Sequence, residues 1–306
     1  MAGQITSLEA AGTALVPEGG EIGAVQSGWR LALREFAGNK LAVIGFAIVI
    51  FFVLFSFIGP LIYHTNQIDT SLSAANEAPS ASHLLGTDSN GFDQLGRIMV
   101  GGRAALEIGF FAAFIAIVIG ALWGAIAGLL GGFADAVMMR VVDVFLSIPF
   151  LFVVLILAVK YGATVLSLSL VIGGFSWLFP ARLVRGEVLS LRVRDFVAAA
   201  RVAGAGRSRL ITRHLIPNAL GVVIVNVTFQ VADAILAVSY VGFLGFGLHY
   251  PSVDWGDMLS NGVQYQTDGY WWLIYPVGAC IVLTVMALNF IGDALRDSLD
   301  VRLRRR

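Results

Sequence analysis

Long uncharged apolar runs, separated by short polar stretches, set the pattern of this chain. Runs of eighteen residues or more occupy 41–63, 108–133, 161–181, 215–232 and 269–292. Stretches of that kind predict membrane-spanning helices, because ~20 apolar residues of helix cross the hydrocarbon core of a bilayer. A sixth run, 144–159, is shorter. Residues 138–142 extend it while placing Arg140 and Asp143 near one end, and Pro149 predicts a kink inside it. The expected fold is an all-α integral membrane protein with six transmembrane helices.

One polar stretch stands apart. Eight arginines fall between Arg182 and Arg213, against two acids, Glu187 and Asp195. Good helix formers, including Ala198-Ala199-Ala200, predict a helix over 187–203. Gly204-Ala205-Gly206 then supplies a stop with ready access to positive φ. Ser208 is placed to cap a second short helix running through His214, and Pro217 with Asn218 marks the start of the next element. A plain connection has no use for so much helix, so 184–218 reads as a docking element.

The basic residues of the loops fix the orientation. With the N-terminus inside, Arg30, Arg34, Lys40, Arg140, the eight central arginines, Arg296, Arg302, Arg304, Arg305 and Arg306 are all cytoplasmic. Only Arg97, Arg103 and Lys160 then lie outside, which leaves seventeen of twenty inside. The prediction is N-in and C-in, with the docking element in the cytoplasm. The formal net charge of zero conceals this asymmetry and implies no nucleic-acid partner. The tail arginines read as lipid-facing or orienting charges. Charged residues make up 13% of the chain, about half the roughly 25% of soluble domains, which argues against a soluble fold. The single cysteine, Cys280, lies mid-span and allows no disulfide framework, and the four histidines have no metal-ligand spacing.

The chain divides into a cytoplasmic tail and surface helix (1–40), a first span (41–63), an extracytoplasmic loop (64–103), a membrane core (104–296) and a cytoplasmic tail (297–306). Residues 1–28 lack the basic start of a signal peptide and read as disordered. Residues 29–40 suit a helix on the inner membrane surface or a plain flank. In the outer loop, Asp88, Asp93 and Arg97 are spaced either for an ion-pair cluster or as ordinary solvated charges. Ala112, Ala116, Gly120, Gly124 and Gly128 form a small-residue ridge, the pattern of a helix-packing seam. Asn226, Gln230 and Asp233 share one face of the fifth span, where they either line a pathway or hydrogen-bond between helices. Residues 242–266 suggest a re-entrant or surface-lying segment, and Tyr270-Trp271-Trp272 an aromatic interface belt.

Missing chemistry narrows the function. The only lysines, Lys40 and Lys160, precede Leu and Tyr, so there is no GxxxxGK[ST] phosphate loop. HExxH, CxxC and GxSxG are absent as well. The chain thus offers a scaffold and a docking element without an energy source, and energy is expected from a separate protein. On the residues alone three classes stay open: a subunit driven by that partner, a proton-coupled carrier with Asp233 as its candidate carboxylate, and a non-transporting scaffold.

Further motifs choose among them. Ala198-Ala199-Ala200 and Gly204, followed by Arg213-His214-Leu215-Ile216-Pro217-Asn218, resemble the coupling motif of the membrane subunits of bacterial ABC importers: acidic-Ala-Ala, three residues, then Gly. LLGTD (84–88), GGFADAVMMRVVDVFLSIP (131–149), AIL and FLGFG (234–247), WGDML (255–259) and LTVMALNFIGDALRDSLD (283–300) are similar to the C-type permeases of the dipeptide/oligopeptide/nickel branch. The likeness runs from about residue 29 to residue 300. It implies a permease of the bacterial inner membrane, surrounded by lipid, that imports peptides or a related solute. Its implied partners are a B-type sister permease, two cytoplasmic ABC ATPase subunits and an extracytoplasmic solute-binding protein. The chain itself would be no enzyme and would bind no cofactor, with ATP and magnesium on the ATPases. The implied ATPase contacts are Arg194, Asp195, Phe196, Val197, Ala198, Ala199, Ala200, Arg201, Gly204, Ala205, Gly206 and His214. Ala198 stands where the family has a glutamate, and Asp195, almost one turn earlier, is left to replace it. Phe92, Gly96 and Val238 likewise stand in place of an arginine, a serine and a glutamate.

Overall fold

Each apolar run is helical for most of its length in the computed structural model, which describes residues 36–304 and the side chains through Ser298. The tail at 1–28 and most of the surface helix expected at 29–40 lie outside the described residues. Helix α1 (Lys40–Phe57) starts at Asn39, whose Oδ1 accepts from the Leu41 and Ala42 amides. A short α2 (Gly59–Ile62) comes next. α3 (Gln94–Leu130) has 37 residues, or about 55 Å at 1.5 Å per residue, well over the ~30 Å hydrocarbon core. It opens at Asp93, whose Oδ1 accepts from the Gly96 amide at 2.8 Å, so residues 94–103 of the expected outer loop are helical. Gly96, Gly101 and Gly102 give this stretch the composition of a loop. They are points of close packing instead: a Cβ on Gly102 would come within 2.7 Å of the Trp255 ring.

α3 is the hub of the molecule, with α1, α6, α7 and α10 packed along it. Its ridge of Ala112, Ala116, Gly120, Gly124 and Gly128 is buried. A Cβ on Gly124 would lie 2.3 Å from the Ala181 carbonyl oxygen, and one on Gly128 would lie 2.8 Å from Val188 Cγ1. In lipid, association depends on such backbone approach, because the tails are as apolar as the side chains.

Two of the expected spans are broken. The run at 138–159 is not one kinked helix but α4 (Gly132–Leu146) and α5 (Phe150–Tyr161), meeting at 76° across Ser147-Ile148-Pro149. The run at 161–181 is α6 (Val165–Ser176) followed by α7 (Leu178–Leu191) at 42°. Pro180 has no N–H to offer the Ser176 carbonyl one turn back. Gln230 Nε2, from a later helix, donates to that carbonyl at 2.8 Å. Among the described residues four helices are long and apolar enough to cross a membrane, and the count is six when each bent pair is one crossing. The described residues contain no β-strand.

The remaining helices are α8 (Asp195–Val202), α9 (Arg207–Arg209), α10 (Ile216–Val241), α11 (Trp255–Val263) and α12 (Tyr275–Arg304). α11, at nine residues, is too short to span and wedges against the outer end of α3. Its Trp255 is fully buried, stands edge-on to Phe52 and donates to the Ile98 carbonyl at 2.9 Å. The aromatic belt is only partly a belt. Trp271 is half-exposed, but Trp272 is buried and donates to the Thr87 carbonyl at 3.2 Å, because the outer loop folds back over the head of α12. The expected tail from 297 continues α12 through Arg304.

Candidate functional site

The arginine-rich segment does not fold as one helix over 187–203. α7 ends at Leu191, residues 192–194 turn, and α8 begins at Asp195. Arg192 holds the turn by donating from Nη1 to the Gly128 carbonyl in the last turn of α3, at 2.9 Å. α8 stops where the sequence predicts, and by a definable device. Gly204 has φ +82°. Its N–H donates to the Arg201 carbonyl and the Ala205 N–H to the Ala200 carbonyl, both at 3.0 Å. That is the Schellman arrangement, which spends two otherwise orphaned carbonyls.

Beyond this corner the chain departs from expectation. Ser208 caps nothing: Gly206 precedes α9, and no side chain caps it. Nor does the helix end at His214, because helical backbone runs on from Arg207 into α10, to a kink at Gly245 with φ +82°. A π turn over Leu210–Leu215 joins α9 to α10. Pro217 lies just past it, where an ordinary turn would press the ring on the Arg213 carbonyl, and the widened turn gives that ring room. His214 is half-buried in the π turn, and its carbonyl accepts from Asn218 Nδ2 at 2.6 Å.

α8 therefore has two faces. Val197 is fully buried, and Ala200 and Ala205 pack with it on Val188, Leu210 and Leu215. Arg194, Phe196, Ala198, Ala199, Arg201 and Val202 face outward, with Val202 91% exposed and Phe196 40%. Asp195 is exposed in the first turn, where its charge suits the helix dipole. The eight arginines also divide. Arg182 bonds Asp143, Arg185 bonds Asp135 and Arg192 bonds Gly128. The other five, Arg194, Arg201, Arg207, Arg209 and Arg213, are exposed and enter no ion pair among the described residues. A rigid helix with apolar side chains outward and loose positive charge around it is suited to being gripped by another protein.

The three residues of the polar stripe on α10 differ in their surroundings. Gln230 is buried and committed to Ser176, Asn226 is half-buried with Oδ1 unpartnered, and Asp233 is exposed. On the outer side, Arg97 pairs with Asp88 at 3.3 Å and lies 4.4 Å over the Phe92 ring. Asp93 takes no part in that pair. It accepts from the Tyr63 hydroxyl at 2.8 Å and has His83 Nδ1 at 3.0 Å. Beside them opens a cavity of about 810 Å³, lined by Asp69, Phe92, Arg97, His249 and Asp257 among others. Burial pushes the Asp257 carboxyl up, and likewise that of Asp254, which accepts from the Leu248 and Asp257 amides at 2.9 Å each.

Sequence reasoning passed over Asp135 and its fork with Arg185. The signal was present: Asp135 and Asp143 are eight residues apart, about two turns and one face, while Arg182 and Arg185 are three apart. Among the described residues no group of His, Cys, Asp and Glu is placed to hold a metal.

Residues 106–305 match the family described as binding-protein-dependent transport system inner membrane component, and residues 27–79 match the N-terminal TM domain of oligopeptide transport permease C. The chain is 40% identical over 278 residues to the oligopeptide transport system permease protein OppC of Haemophilus influenzae, covering 90% of this chain and 89% of that one. It is 38% identical over 274 residues to the dipeptide transport system permease protein DppC of Bacillus subtilis, covering 90% and 86%. In fold it is similar to a chain of the inward-facing MetNI methionine ABC transporter, with a TM-score of 0.51 at 22% identity, over 65% of this chain and 94% of that one.

Proposed function

This chain belongs to the family of binding-protein-dependent transport inner-membrane components, and from that premise we propose that it forms, with a sister permease, the path by which peptides enter the cell. It is a permease subunit of an ABC importer and a multi-pass protein of the bacterial inner membrane. The relatives named for oligopeptide and dipeptide transport support peptides as the cargo.

In this reading two cytoplasmic ATPase subunits hold ATP and magnesium, and one of them seats α8 in a groove. Phe196 and Val202 supply the apolar contact, and Arg194 and Arg201 the charge. Ala198 offers no carboxylate to that groove, so the acidic contact falls to Asp195. Closure of the ATPases moves α8, and the membrane helices rock around a shared path toward the binding protein outside. The observation that carries the reading is the two-faced α8, pinned by Val197 and open to solvent on its apolar outer side.

Phe196→Asp tests it. Membrane insertion should be unchanged, because residue 196 faces out, while co-purification of the ATPase subunits and ATP-dependent uptake of a labelled oligopeptide mixture should both be lost. Retention of the ATPases would refute the docking role.

A further inference from the structure

Three of the eight arginines bond within the protein, and they lie along the stem that carries α8. Arg185 reaches both oxygens of a buried carboxylate, Nε to Asp135 Oδ1 at 2.5 Å and Nη2 to Oδ2 at 2.7 Å. Such a fork fixes angle as well as distance, which a single point charge does not. Further along α4, Arg182 bonds Asp143, which has Arg140 at 3.9 Å on its other side. The apolar contact between these helices is a single cluster: Val142 packs with Leu178 and Ala181, with Trp123, Met139, Leu146 and Trp177 at the margin. To that cluster the fork adds a two-point polar tie between α4 and α7. From α4 the chain passes through the 76° break into α5.

We propose that the Asp135–Arg185 fork is the joint through which movement of α8 reaches the bent pair α4–α5, and that both residues are positioning residues of the transport cycle. The inference rests on the reading of α8 as the ATPase contact. With the fork closed, α7 and α4 move as one body and carry α5. With the fork broken, α4 keeps the exposed Arg182–Asp143 pair, its apolar cluster and the bond from Trp123 Nε1 to the Met138 carbonyl. None of these fixes its angle to α7, and a push on α8 is lost before it reaches α5.

The test uses the full complex, with ATPase stimulation by the binding protein as the measure of coupling. In a Cys280→Ser background, spin labels on Val137→Cys in α4 and Leu183→Cys in α7, both exposed positions, report the distance between the helices. The unmodified pair should give one narrow distance with or without ATP. Asp135→Asn should broaden it and lower stimulation about tenfold, within the usual range of coupling energies, while the ATPase subunits stay bound. Exchanging the charges, Asp135→Arg with Arg185→Asp, should narrow the distance and recover most of the stimulation. Where the exchanged chain does not accumulate, Asp135→Glu, which keeps the charge and both oxygens, should recover it instead. Normal stimulation in Asp135→Asn, or no recovery in the exchanged or Glu variants, overturns the proposal. Failure of the α8 reading is separately visible, because Phe196→Asp would then keep its ATPase subunits.

Discussion

Gly204 is the residue at which conformation alone decides the outcome. It sits at φ +82°, and no atom lies within 4 Å of where its Cβ would be. Valine there meets no clash, only the left-handed backbone, at a cost of about 1–2 kcal/mol. Because that cost falls on the Schellman corner, Gly204→Val should leave the protein inserted and lower the ATPase stimulation by the binding protein. Unaltered stimulation would count against a coupling role for the corner. The glycine was legible in the sequence because it ends a helix-forming run. Ser208 misled because a capping residue type was read as a cap, whereas Gly206 holds that position and the helix runs on.

At the scale of elements, the ridge on α3 shows how small residues substitute for hydrophobic drive inside a membrane. Gly124 has the least room, facing the Ala181 carbonyl and the Arg185 amide, both backbone atoms that no rotamer change can move. Gly124→Ala should separate α3 from α7 and destabilise the chain by about 1–3 kcal/mol. The lowered unfolding midpoint would be read in mild detergent against Gly186→Ala, where nothing stands within 4 Å. The breaks at Pro149 and Pro180 mark the limit of sequence reading at this scale. A proline announces a distortion, but whether a helix kinks or parts depends on who takes the freed carbonyl. Gln230 takes Ser176, and that partner lies 54 residues away in the chain.

For the whole molecule, the distribution of charge predicts which end faces the cytoplasm. In a Cys280→Ser background, a membrane-impermeant maleimide should label Ser82→Cys in the outer loop of intact spheroplasts. Ala198→Cys on α8 should be labelled only after permeabilisation. Both positions are exposed, so accessibility within the protein does not confound the result. The reverse pattern would invert the topology and with it the docking of any cytoplasmic ATPase.

The sequence by itself determined what depends on local composition: that apolar runs become helices in the membrane, that lysine and arginine gather on one side, that glycine stops α8, and that small residues form a seam. These outcomes arise from transfer energies and backbone sterics acting over a few turns. Only the tertiary structure decided what depends on partners distant in the chain. It shows which arginines bond to Asp135, Asp143 and Gly128 and which remain loose, that Trp272 packs under the outer loop, and that Gln230 serves a broken helix. Side-chain type states what a group can bond, and the packing of the helices settles which bond it makes.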